Sequence, residues 1–222
     1  MIARHLIAAG AVILLLVGIV PPKPASADEI APRAEAFITR LADDAISKLT
    51  DNKVSADEQE TRFREIMREY VAFQTIARWV LGGRYWRAAN DAQRERYLSL
   101  FEQLMVATYA HRFQNYSGET LEVDSVQKID DAQALVRTTL MRPNADKPLR
   151  VDWRVRATED KIKVIDIMVE GLSMAQTQRS EFSSVLRANG GDVDALMADL
   201  ETRLQAARKE RIAINQEAAK KP

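Results

Sequence analysis

The chain has no cysteine and only two histidines among 222 residues. No disulfide framework can staple it, so it relies on an ordinary hydrophobic core. His5 lies in the N-terminal leader, which leaves His111 alone in the body of the chain. Metal clusters built on histidine or cysteine are excluded, as is a Cys-His dyad. A Ser-His-Asp triad would have to use His111, and no GxSxG precedes a strand-to-helix turn. Walker A and GxGxxG loops are missing too. Charge of one sign is also lacking: 32 basic residues face 32 acidic ones, so bulk electrostatics argue against a nucleic-acid partner. Long apolar runs are scarce. The one present, Leu6 to Val20, is 15 residues, short of the roughly 20 that span a bilayer.

That run sits in a recognisable setting. Arg4 and His5 precede it, and Ala25-Ser26-Ala27 follows as a small-x-small cleavage site. Residues 1–27 therefore read as a secretory signal peptide, with a retained membrane anchor as the alternative. No cysteine follows the run to carry a lipid. Cleavage would remove Arg4 and Lys23 and no acid, moving the balance from zero to about −2. The expected product is a periplasmic single domain, 28–222, with a tail that frays from about 208.

Helical spacing places a first helix over 32–50, with Ala34, Phe37, Ile38, Leu41, Ala45 and Leu49 on one stripe. Ser55 and Glu58 form a capping box that opens a second helix, expected to run on to Leu81 and stop at Gly82-Gly83. Asn90 caps a third, to about Asn115. From Gly118 the period changes to two. Leu121 and Val123 alternate, then Val126 and Ile129 resume in the opposite phase, which predicts a bulge. A second strand covers 132–140. Leu149, Val151, Trp153, Val155 and Ala157 alternate with polar residues in a third. Residues 161–170 form a fourth. Gly171 ends it, and Ser173 with Gln176 caps a helix. A last amphipathic helix carries Val193, Leu196, Met197, Leu200 and Leu204. The fold class is α+β: a curved antiparallel sheet of four or five strands packed with N-terminal and C-terminal helices, cone-shaped like nuclear transport factor 2.

Acid–base chemistry is hard to assemble. Asp166 and Glu170 are four apart on one strand, about 13 Å at about 3.3 Å per residue. Glycosidase pairs need roughly 5 to 9.5 Å. Asp166 is instead expected to meet a cation or a helix N-terminus, and Glu170 the backbone near Gly171. His111 reads as a packing or surface residue. What remains is apolar surface. In the fourth strand Ile162 and Val164 point one way and Ile165, Ile167 and Val169 the other, unless a bulge intervenes.

Two blocks carry a resemblance. One is Ile76-Ala77-Arg78-Trp79-Val80-Leu81-Gly82 with Tyr85-Trp86, Ala92-Gln93-Arg94 and the stretch from Tyr109 to Gly118. The other runs from Asp166 to Met174, with Arg179, Phe182 and Gly190 beyond. Over about 32–204 the chain resembles the MlaC family of periplasmic phospholipid-binding proteins, also called toluene-tolerance proteins. The resemblance implies a carrier without catalysis or cofactor. It would hold phospholipid tails in a cavity between sheet and helices and exchange its cargo with an outer-membrane lipoprotein complex and an inner-membrane ABC-transporter complex. A related branch is linked to hopanoids, so the cargo need not be a glycerophospholipid.

On that reading the lining candidates are Val151, Trp153, Val155, Ile165, Ile167 and Val169 on the sheet, with Trp79, Leu81, Tyr85, Tyr109 and Phe113 opposite. Arg150 or Arg154 is the candidate for a headgroup phosphate at the mouth. Val155→Arg is expected to lower lipid occupancy in a folded protein. Two other readings stay open: a small-molecule enzyme on the cone-shaped fold, and a periplasmic adaptor with a solid core.

Overall fold

The computed structural model describes residues 30–50, 54–143, 145 and 147–218. The expected signal peptide, 1–27, lies outside them. Among the described residues no helix is long and apolar enough to cross a membrane.

Among the described residues five helices come first: α1 Ile30–Leu49, α2 Ala56–Tyr70, α3 Phe73–Leu81, α4 Gly83–Ala88 and α5 Asp91–Tyr109, the last tightening into a 3₁₀ turn over Ala110–Asn115. The Ser55 hydroxyl accepts from the Glu58 amide, and Asn90 makes a full capping box with Gln93. One expectation fails. The helix beginning at Ser55 breaks at Val71 and Ala72 and restarts as α3. Neither glycine nor proline causes this. Val71 bridges Val164 of the sheet, and the Ala72 amide donates to the Val164 carbonyl at 2.9 Å, so a long-range bond replaces the helical one.

The sheet is an antiparallel meander, β1 Thr120–Lys128, β2 Gln133–Met141, β3 Leu149–Ala157, β4 Ile162–Val169 and the two-residue β5 Leu172–Ser173. The β1 bulge falls between Val123 and Ser125. A second bulge settles the phase of β4. Arg154 pairs with Asp166 and Val155 with Val164, so Ile165 is the extra residue. Ile162 and Val164 thereby share a face with Ile167 and Val169.

Two helices close the chain: α6 Met174–Ala188 and α7 Val193–Ala218. Where fraying was expected from about 208, α7 stays helical to Ala218. Arg208 donates to Gln103 Oε1 at 3.0 Å, and Arg211 reaches Glu60 Oε2 at 2.5 Å.

There are two cores. In one, α1, α2 and the end of α5 lie against the inner face of the sheet around Ile38, Val106, Val136, Val155 and Val164. In the other, α3, α5, α6 and α7 pack around Tyr97, Phe101 and Phe182, whose rings meet at 6.0 to 6.3 Å. Phe73 and Ile76 of α3 touch both.

Candidate functional site

β3 sets the apolar face. Its inward residues pair across the sheet in rows: Ala134, Val155 and Val164; Val136, Trp153 and Ile167; Thr138, Val151 and Val169. Every inward position of β2, β3 and β4 is uncharged. The charges of β3, at Arg150, Asp152, Arg154 and Arg156, all lie on the outer face. Thr138 is the one buried polar side chain on the inward face of these strands among the described residues. Its hydroxyl donates to the Val151 carbonyl at 2.5 Å and accepts the Trp153 indole N–H at 3.1 Å, which satisfies all three groups.

Burial falls off along these rows. Val155 and Val164 are sealed, and Val151 is buried. Trp153, Ile167 and Val169 are only half-buried. Tyr109 and Phe113 pack on the same core and are also half-buried, with Phe113 against Phe63 at 5.7 Å and the Arg112 guanidinium 5.3 Å from the Tyr109 ring centre. Burial pushes the Tyr109 phenol above its ordinary pKa, so it stays neutral at physiological pH. The result is an apolar seam whose sheet side is uncharged, closed at Val155 and less closed toward Trp153 and Ile167.

The other candidates lie elsewhere. Leu81 and Tyr85 belong to the helical core, across α3 from the sheet. Trp79 is 44% exposed, and the Arg179 guanidinium lies 4.6 Å from its ring centre. Its place could have been read from spacing: Phe73, Ile76, Ala77, Val80 and Leu81 form the buried stripe of α3, and Trp79 is off it. Ile165 is the bulged residue and packs with neither core. Arg150 is committed to Asp152 at 2.6 Å and Arg154 to Gln133 at 3.1 Å, both on the outer face. Both lie on the face away from the seam.

Asp166 meets a helix N-terminus. It accepts the Ala175 amide at 3.1 Å and the Ser173 hydroxyl at 2.6 Å. Glu170, at φ +50°, accepts the Arg150 amide at 2.8 Å. The His111 Nδ1 is buried without a partner among the described residues. Among those residues no three carboxylate, histidine or cysteine side chains converge on a metal-sized site. Two hollows are open surface grooves, one between α5 and α7 and one on the outer side of α1. Neither lies between sheet and helices.

The chain matches the model of the MlaC protein family over residues 39–202. It belongs to the MlaC family. The intermembrane phospholipid transport system binding protein MlaC of Haemophilus influenzae is 25% identical over 187 residues, covering 81% of this chain and 84% of that protein. The toluene tolerance protein ttg2D of Pseudomonas putida is 22% identical over 119 residues, 54% of this chain and 55% of its own length. A phospholipid-binding protein from Ralstonia solanacearum, solved in complex with a phospholipid, superposes with a TM-score of 0.69 at 23% identity, over 78% of this chain and 98% of that one. The α+β fold read from the sequence is thus a MlaC fold.

Proposed function

We propose that this MlaC-family chain is a periplasmic lipid carrier that holds phospholipid acyl chains along the seam between the inner sheet face and Tyr109 and Phe113. One observation carries the reading: the inner sheet face is apolar and uncharged, and half-buried at Trp153, Ile167 and Val169, while the charges of β3 are confined to the opposite face. Two acyl chains hold about 30 methylenes, at about 0.8 kcal/mol each, so free lipid in water is rare. A carrier must offer the tails a near-bilayer environment, and a charge on the seam would spoil it. Tails need room, so Trp153, Tyr109 and Phe113 have to swing apart as lipid enters. The phospholipid named with the Ralstonia solanacearum structure supports this cargo.

In this reading a signal peptide at 1–27 delivers the chain to the periplasm. It shuttles lipid between an outer-membrane lipoprotein complex and an inner-membrane ABC-transporter complex, maintaining outer-membrane lipid asymmetry, with no catalytic step. A second reading is an adaptor without lipid, consistent with the sealed packing around Val155 and Val164. Denaturing mass spectrometry of protein purified from a lipid-containing host separates the two. Phospholipid near one per chain supports the carrier. Lipid-free protein that also takes none from vesicles leaves the adaptor.

A further inference from the structure

The seam leaves unused the break between α3 and α4. Gly82 adopts φ +89°, ψ 138°, a conformation open to glycine and strained for other residues. The turn it makes gathers aromatic rings and guanidiniums on one surface. Arg179 lies over Trp79 and donates to the Trp79 carbonyl at 2.7 Å. Arg78 lies 4.7 Å from the Trp86 ring centre, and Arg84 lies 5.6 Å from that of Tyr85. A methyl placed on Gly83 would stand 3.1 Å from Arg87 Nη1.

This surface is uncompensated. The neighbouring Arg94 is paired with Asp91 at 2.9 Å. Among the described residues no carboxylate pairs with Arg78, Arg84, Arg87 or Arg179. In a chain whose bases and acids balance at 32 each, four unpaired guanidiniums around one turn are a local excess. Trp79, with one face stacked, leaves much of its ring to solvent. Tryptophan suits the headgroup layer of a bilayer, and guanidinium meets phosphate through paired N–H groups.

We propose that the α3–α4 face docks directly on an anionic phospholipid bilayer, with Trp79 among the headgroups and Arg78, Arg84 and Arg87 on their phosphates. Docking does not require lipid in the seam, so it stands or falls apart from the carrier reading.

The test is co-sedimentation of the purified chain with phosphatidylcholine vesicles, with and without about 30 mol% phosphatidylglycerol, an anionic surface comparable to natural ones. Binding is expected to the anionic vesicles only and to weaken as salt rises. Arg84→Glu with Arg87→Glu is expected to reduce it at least about tenfold, since each basic residue near such a surface contributes about a factor of five. Both side chains are exposed, and an unchanged melting temperature controls for folding. Arg156→Glu, on the outer face of β3, is expected to bind like the parent. Equal binding to neutral vesicles, or full binding by the double variant, overturns the proposal. So does no binding to either vesicle, which would leave this face to an acidic protein surface.

Discussion

The indole N–H of Trp153 and the hydroxyl of Thr138 are joined at 3.1 Å across the β2–β3 pair, inside an otherwise apolar face. The hydroxyl in turn donates a hydrogen bond to the Val151 carbonyl. Thr138 therefore pins the orientation of the largest side chain on the seam. Thr138→Val strands the indole donor and is expected to destabilise the protein by about 1–3 kcal/mol in urea denaturation. Thr138→Ser keeps the hydroxyl and should cost less. Equal stability of the Val variant and the parent would refute the pinning role.

Burial decides where a charge can probe the seam. Val155 is fully enclosed between Ala134 and Val164. Contrary to the expectation from sequence, Val155→Arg should prevent folding, because it buries an unpaired charge in a close-packed core. Ile167 shares the face but is half-buried, so Ile167→Glu can fold with its carboxylate at the less sealed end. The expected result is a cooperative thermal transition with co-purified lipid reduced several-fold. Parent-like occupancy in folded Ile167→Glu would remove Ile167 from the lipid path.

Much of this was legible in the chain, for local reasons. β3 alternates because one face is wet, and its residues fall where the alternation ends. The caps at Ser55, Asn90 and Ser173 are short-range hydrogen bonds with a fixed spacing. What depends on distant partners was not legible. The break at Val71 comes from a bond to Val164, and nothing in its neighbours announces it. Periodicity grouped Leu81 with Tyr109 as apolar, but it does not say which of two cores a helix faces. The Ile165 bulge left two phases open until pairing chose one.

Asp166 ties β4 to the start of α6 through two hydrogen bonds, from the Ala175 amide and the Ser173 hydroxyl, and also accepts its neighbour Ile167's amide. Asp166→Ala removes both acceptor oxygens and so all three bonds, and frees the Ser173 hydroxyl that caps the helix from its anchor, with an expected loss of about 2–4 kcal/mol. Asp166→Asn retains one oxygen for the amides and should fall between Ala and the parent. Hydrogen exchange gives the sharper readout: the first turn of α6 should lose protection before the sheet does. Uniform loss across both would argue that Asp166 is ordinary packing.

Acid sensitivity should trace in part to Asp44. The Tyr70 hydroxyl, donating at 2.8 Å, and then Lys48 at 3.0 Å hold this carboxyl below its ordinary value of 3.8. A folded-state pKa below the unfolded one stabilises the native protein above the unfolded value, and the benefit is lost as pH falls through the folded value. The stability gap between the parent and Asp44→Asn should therefore be constant from neutral pH down to about 5 and close below about 4. Tyr70→Phe removes the largest cause, so the Asp44 carboxyl, followed by NMR titration, should move up toward 3.8. A parent-to-Asn gap that widens on acidification would reverse the assigned sign and exclude this pair as a source of acid lability.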